Sequence, residues 1–472
     1  MVSLNFPLSN EQIETIHDAT IAVLTQTGFR FACEGIMKIF KKHGFRVEGG
    51  RVFIGEKEIL KALETVPKEF TIMARNPDRN INLHSKSLSF GMGRGAVTMV
   101  DGDGTYRSAA KSDVIDSLKL GHALDVIEHL YPFVYPCDVD GSNVHLWLSQ
   151  ATIKYSDKPC NFIDRHEIEL IAMTYGMSTG EMSDRSDLTR SPGHATAIID
   201  SPLTINKENC DNLMEYANAG IAFHVASMPI ACTTGPATEA GTIVLQNCEN
   251  LAPIVLSQLV KPGCPAFYGA LAGHADMMSL RPLFGTPEAR LFERAGSQMA
   301  RSYGLVCRGN AGLTDAPSYD FQAGSQAMIS AMSVLQDGPN FLTGCGLLGS
   351  YRGGSLAKII LDAELLELAH RYLKPVDTNP EALAVDVIAE VGPGGTFVDH
   401  IHTLENYRNY IYPDDLFQSP TYENWMAMGR RDVSQLAHEK ARKLIDAYEK
   451  PPIDQGLEES IDEYVLRKWV KH

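Results

Sequence analysis

The chain has 472 residues, 44% of them hydrophobic and 21% charged, the balance of a folded globular protein rather than a disordered or fibrous one. Forty-two basic against 58 acidic residues leave a formal charge of −16, which repels nucleic acid and anionic lipid. Nine scattered cysteines, with no C-x-x-C pair, suggest neither a disulfide framework nor a zinc ribbon. The opening stretch lacks a basic, apolar leader, and no apolar run approaches the ~20 residues that cross a bilayer. The expected setting is reducing and cytoplasmic, with no membrane and no nucleic-acid partner.

Residues 1–85 read as an N-terminal α+β extension. Ser9 and Gln12 have capping-box spacing ahead of a helix with Ile13, Ile16, Val23 and Leu24 as its apolar stripe. "RVFIG" and "EFTIMAR" alternate as short strands do. From residue 88 onward, eight short apolar runs are each followed by a helix-like segment: "LSFGMG", "IEHLYPFVYP", "PCNFID", "ATAIID", "MPIACTTG", "PAFYGALAG", "LVCRGNAG" and "FLTGCGLLG". Helix signals lie between them. Asn206 to Gly220 forms one unit, Thr286-Pro287-Glu288 opens another that Gly304 closes, and Ser355 precedes "LAKIILDAELLELAHRYL".

Strand–helix alternation implies parallel strands with right-handed crossovers. Eight units predict an α/β fold, a (β/α)8 TIM barrel over 86–403, with a C-terminal helical cap over 404–472. A doubly wound sheet is the competitor, weakened by the missing G-x-G-x-x-G and its downstream acid.

The motifs give little conventional chemistry. His400-x-His402 lacks a third ligand, and His145, His166, His194, His224 and His274 follow no metal pattern, so no bound metal is expected. "DGDGTYR" at 101–107 begins like a calcium loop but lacks its remainder and reads as a tight turn. "GMGRGAV" resembles a nucleotide loop only superficially, with Arg94 as a salt-bridge partner or a ligand. There is no G-x-S-x-G elbow, and no residue is assigned a catalytic role. An aldolase-like lysine is disfavoured because Lys154, Lys158 and Lys261 fall outside the strand tips.

If the runs are barrel strands, their C-terminal ends bring Tyr135, Asp138, Asp164, Asp200, Thr234, Tyr268, Arg308, Asn310 and Tyr351 around one mouth. Tyr135, Tyr268 and Tyr351 are candidate rings for a cationic nitrogen. Arg308 and Asn310 are candidate anchors for a carboxylate. His400 and His402 are expected as supports near the mouth.

"VGPGGTFVDHIHTLENYR" at 391–408, with "SLAKIILDAELLELAHRYL" before it and "WMAMGRRD" after it, resembles the C-terminal third of the trimethylamine methyltransferase family. "TTGPATEAG" at 233–241 and "TDAPSYDFQAG" at 314–324 are similar to its central signatures. The resemblance spans nearly the whole chain and implies a (β/α)8 barrel. It also implies methyl transfer from an amine to the Co(I) of a corrinoid carried by a separate small protein. Trimethylamine enzymes of that family carry pyrrolysine, whereas this chain is written in the ordinary twenty residues. The resemblance therefore points to the branch acting on glycine betaine or a related quaternary amine. Proline betaine, carnitine and γ-butyrobetaine are alternative substrates, and a betaine-binding barrel without turnover is the alternative from another class. Whether the chain forms a homo-oligomer is left open.

Overall fold

Short apolar runs alternating with capped helices produce one all-parallel sheet. The computed structural model describes residues 6–141, 143–410, 416–417 and 419–469. Its strands are β1 (Ser89–Met92), β2 (Asn161–Phe162), β3 (His194–Ile198), β4 (Ala222–Ala226), β5 (Ala266–Gly269), β6 (Cys307–Asn310) and β7 (Phe341–Cys345). They pair in the order β1-β7-β6-β5-β4-β3-β2, a seven-stranded parallel half-barrel. Chain order is kept from β2 to β7, and β1 joins the last strand. A doubly wound sheet would instead reverse direction at a switch point. Two isolated parallel bridges, Gly91 to His129 and Leu130 to Cys160, connect β1 and β2 to the intervening segment.

Of the eight expected runs, "IEHLYPFVYP" forms no strand, only isolated bridges at His129, Leu130 and Val134, and "MPIACTTG" is displaced. The strand lies just upstream in "AFHVA", whose β-branched and aromatic side chains are buried. Ile230–Ala231 joins a small side sheet with Gly273–Ala275 instead. The expected helix ends are present. Ser9 and Gln12 form a capping box, Thr286 accepts from the Ala289 amide, and Gly220 closes Lys207–Ala219 at φ 62°. Asp101–Arg107 forms a tight turn, with the Gly104 amide donating to the Asp101 carbonyl.

The N-terminal extension is stitched into the sheet's surroundings. Phe29–Phe31 pairs in parallel with Thr204–Ile205. Thr20 Oγ1 accepts from Asn247 Nδ2 at 2.9 Å, linking helix Asn10–Gln26 to helix Glu239–Val260. The hairpin Phe70–Ile72/Ile81–Leu83 packs its apolar face against Tyr131, Phe267, Val306 and Phe341, plugging the N-terminal end of the half-barrel. Helix Val433–Asp446 packs on helix Leu356–Tyr372, and helix Gln455–Trp469 on Val144–Tyr155. Between these, residues 374–408 form an arm of short helices with few buried side chains. Among the described residues no helix is long and apolar enough to cross a membrane.

Close strand packing fixes several glycines. At Gly269 a Cβ would meet the Val225 carbonyl at 1.7 Å, and because the obstacle is backbone of the neighbouring strand it cannot swing aside. Gly269→Ala should lower stability by about 3 kcal/mol, the upper end of overpacking costs, as measured by urea unfolding.

Candidate functional site

Period-two alternation decides which strand residues face the concave side. On β6, Arg308 and Asn310 share that face. On β7, Phe341 and Thr343 do, being their register partners. On β5 the parity selects Phe267, whose ring lies 5.5 Å from His224 and 5.4 Å from Phe341. Tyr268 therefore points outward. It is fully buried in the apolar layer with Cys248, Phe292 and Tyr303, so its expected role as a cavity-facing ring is corrected by strand parity.

Arg308 is the centre of the arrangement. It is 6% exposed and its Nη2 donates to Thr343 Oγ1; among the described residues its Nε and Nη1 make no hydrogen bond, while the hydroxyls of Tyr131 and Tyr351 lie near enough for the guanidinium to lower their pKa. Asn310 Oδ1 accepts from Tyr351 Oη at 2.7 Å and lies 3.5 Å from Thr343 Oγ1. Three of the expected residues, Arg308, Asn310 and Tyr351, are thus in one bonded group. Tyr351 is held there by a loop with two consecutive non-glycine residues in left-handed backbone, Ser350 at φ 59° and Tyr351 at φ 70°. Such strain persists only where neighbours enforce it. Asp315 is one enforcer: it accepts from Ser350 Oγ at 2.7 Å and from the Phe284 and Gly285 amides at 2.8 Å each. The "TDAPSYDFQAG" motif thus acts by positioning the loop that carries Tyr351.

A second guanidinium stands nearby. Arg94, from the loop after β1, donates to Asn161 Oδ1 at 2.5 Å and Thr196 Oγ1 at 2.9 Å, with its Cζ 5.9 Å from the Tyr131 ring centre. Arg94 and Arg308 both lower the phenol pKa of Tyr131, against the larger upward push of burial. Among the described residues, no carboxylate lies within 4.0 Å of either guanidinium group.

Beneath them His129, His194 and His224 come from adjacent strand positions, with ring centres 5.8 Å and 6.1 Å apart in sequence. Tyr131 Oη is 3.0 Å from His194 Nε2, and Ser89 Oγ is 3.1 Å from His129 Nδ1. Burial, then the nearby positive charges, depresses all three imidazoles, that of His194 to about 3. They are neutral near pH 7, which keeps the floor polar without adding charge.

The remaining expected residues are placed as follows. Tyr135 sits in the loop beyond the bridged segment, edge-on to His145 at 5.7 Å. Asp138, Asp164, Asp200 and Thr234 accept from backbone amides of Lys111, His166, Asn206 and Ile230, so all four cap local turns or helices. His400 and His402 lie on the arm. Their rings are 6.5 Å apart, and His400 Nε2 is 3.5 Å from Glu390. Their contacts among the described residues are all within the arm, and none joins them to Arg308, Asn310 or Tyr351. Lys158 is also structural, donating to the carbonyls of Gly121, Leu124 and Ile127.

Sequence reasoning missed Tyr131, Asn161, Thr196 and Thr343, and left Arg94 open between a salt-bridge partner and a ligand. Arg94 had a usable signal, a lone cation just after a strand run, but nothing in the chain shows that it lacks an acid.

The family described as trimethylamine methyltransferase matches residues 3–471. This chain belongs to that family. It is 32% identical to a glycine betaine methyltransferase of Desulfitobacterium hafniense (strain Y51), covering 98% of this chain and 96% of the relative. It is 29% identical to a proline betaine:corrinoid methyltransferase of Eubacterium limosum, covering 97% and 96%. The monomethylamine methyltransferase structure of Methanosarcina barkeri superposes with a TM-score of 0.53 at 12% identity, over 96% of this chain and 90% of that one. That likeness concerns the fold alone.

The buried imidazoles make stability depend on pH. Below the ordinary value of about 6.5 the unfolded chain takes up protons that His194 refuses until about pH 3, so its contribution falls as pH falls. His194→Gln should make the loss of unfolding free energy between pH 6.5 and 5 shallower by about 2 kcal/mol in urea titrations.

Proposed function

We propose that this chain moves a methyl group from a carboxylated quaternary amine, glycine betaine first among the candidates, to a corrinoid carried by a separate protein. The observation that carries the reading is Arg308: a buried guanidinium with two unmatched nitrogens, no acid beside it, and Asn310 and Tyr351 bonded at its edge. Burying such a charge without a counterion is costly, and a ligand carboxylate would offset that cost with paired N–H···O bonds. Arg94 adds a second positive charge. Together they disfavour a plain cation and favour a zwitterion, whose carboxylate neutralises the guanidinium charge while its ammonium lies against tyrosine rings. Tyr351 and Tyr135 are the proposed rings, with Tyr131 below them.

A quaternary nitrogen already carries its charge, so the departing tertiary amine leaves neutral and needs no proton. The chain's task is then to bind, orient one methyl and exclude water, which is catalysis by positioning. The corrinoid supplies the nucleophile when bound. Val97, Ile198, Met277, Met278 and Leu280, all exposed on strand ends or the loops that follow them, suit the approach of a broad, largely apolar macrocycle. The twenty-residue alphabet of the chain supports the betaine branch over trimethylamine.

The same reading includes closure of the half-barrel into a (β/α)8 ring. Three observations support it: the β1–β7 pairing, the two bridges through His129 and Leu130, and, among the described residues, nine α-helices from Lys111–Ala123 to Leu356–Tyr372, two after β2 and one after each other strand position. A cytoplasmic setting belongs to it too, in keeping with nine free cysteines.

The test is incubation of the pure protein with reduced cobalamin and glycine betaine, proline betaine, carnitine, γ-butyrobetaine, choline or trimethylamine, following methylcobalamin by absorbance. Product should form with at least one carboxylated amine and not with choline. Arg308→Met should reduce kcat/KM for that amine about 10- to 100-fold, the worth of a charge-assisted hydrogen bond. Methylcobalamin from none of them overturns the enzyme reading, and tight calorimetric binding without product identifies a betaine-binding barrel instead.

A further inference from the structure

Behind the strand that carries Arg308 and Asn310 lies a buried ion pair that the site leaves unexplained. Arg290 and Glu293, one turn apart on helix Pro287–Ser302, are each 3% exposed, and Arg290 Nη1 bonds Glu293 Oε2. At Gly309, which parity turns away from the concave face, a Cβ would meet Glu293 Oε1 at 2.3 Å, so the carboxylate lies against the back of β6. A buried pair of this kind is poor evidence of stability, because desolvation of both charges largely offsets their attraction. What this pair holds is geometry.

The two side chains reach backbone on both sides of the site. Glu293 Oε1 accepts from the Asn310 amide at 2.6 Å. Arg290 Nη1 donates to Ser330 Oγ at 3.2 Å, and Ser330 in turn donates to the Asn310 carbonyl at 3.2 Å. Asn310 is thereby held at both its N–H and its C=O. The other arm of the fork, Arg290 Nη2, donates to the Phe284 carbonyl at 2.7 Å. Phe284 meets the Tyr351 ring edge-on, with centres 5.1 Å apart, and its amide is one of those that donate to Asp315. Because Tyr351 Oη donates to Asn310 Oδ1, these contacts close a circuit through Glu293, Arg290, Phe284, Tyr351 and Asn310.

We propose that Arg290 and Glu293 are positioning residues for methyl transfer: they touch no substrate, and through the Asn310 backbone and Phe284 they fix the spacing between the carboxylate anchor and the Tyr351 ring. The substrate in this statement rests on the betaine reading above. A zwitterion is gripped at both ends, so a small error in that spacing misplaces the methyl to be transferred. Arg290 is the decisive member. Its planar fork reaches Phe284 with one nitrogen and Glu293 and Ser330 with the other, which the single ammonium of a lysine cannot do.

Arg290→Lys separates charge from geometry, since it keeps a positive charge beside Glu293 and loses the fork. In the cobalamin assay its KM for the carboxylated amine should rise about 10-fold, the worth of one hydrogen bond to a charged group, with kcat changed less than ~3-fold. If the pair served stability alone, lysine would restore wild-type kinetics. The double variant Arg290→Met/Glu293→Gln leaves no uncompensated buried charge, so it should fold and show the same rise in KM. Lys158→Met is the control: it removes a buried structural cation, and should lower the melting temperature while leaving KM at the wild-type value. Hydrogen exchange needs no substrate. In Arg290→Lys, amides over 307–312 and 346–353 should exchange about 10-fold faster relative to the rest of the chain, and in Lys158→Met they should not. A wild-type KM in Arg290→Lys, an equal rise in Lys158→Met, or unchanged exchange over 346–353 would each overturn the proposal. If the unaltered chain turns over no amine, the methyl-transfer reading fails by itself, and the exchange comparison decides the positioning role.

Discussion

The arrangement depends on a buried guanidinium with no acid beside it among the described residues. Arg308 reaches the concave face of β6 because strand parity puts it there together with Asn310, and the neighbouring strand supplies Thr343 as a partner for one nitrogen only. Removing a charge from water costs several kcal/mol unless something compensates. Here compensation comes partly from neutral dipoles, namely Thr343, Asn310 and the tyrosine hydroxyls, and the remainder is left for a ligand. The imidazole floor fits the same constraint, since three neutral rings can be buried close to Arg308 at far lower cost than three cations.

The loop carrying Tyr351 shows how remote residues serve that centre. Asp315 touches nothing at the site, yet it gathers two backbone amides and the Ser350 hydroxyl, so that a pair of left-handed residues is held in place. Motifs resembling family signatures thus divide into different duties. The 314–324 stretch orders the site, whereas the 391–408 stretch lies in the exposed arm.

Much of the architecture was legible in the chain. Capping at Ser9 and Thr286 and the terminating glycine at 220 are local events, governed by backbone donors within a turn or two, and they occur where the residues indicate. The strand rhythm was legible except at "IEHLYPFVYP", which makes only isolated bridges, and at "MPIACTTG", because a short apolar run does not reveal whether it enters the central sheet or a side sheet. At the site, Arg308, Asn310 and Tyr351 could be picked as strand-end residues and do meet. Tyr268 could not be excluded without its register, since one residue of shift exchanges the two faces of a strand. Tyr131 was missed, and Arg94 left open between salt-bridge partner and ligand, for a related reason: a side chain's value as a ligand group depends on which partners surround it.

The sequence by itself determined the alternation of strands and helices, the caps, the acidic surplus and the family, because each is written in spacing, local hydrogen bonding or composition. Only the tertiary structure decided which cations stand without acids among the described residues, which tyrosines face inward, and that His400 and His402 pair locally within an arm of short helices. Those outcomes depend on contacts between residues far apart in the chain, such as Arg94 with Thr196 and Asn310 with Tyr351, which no local pattern encodes.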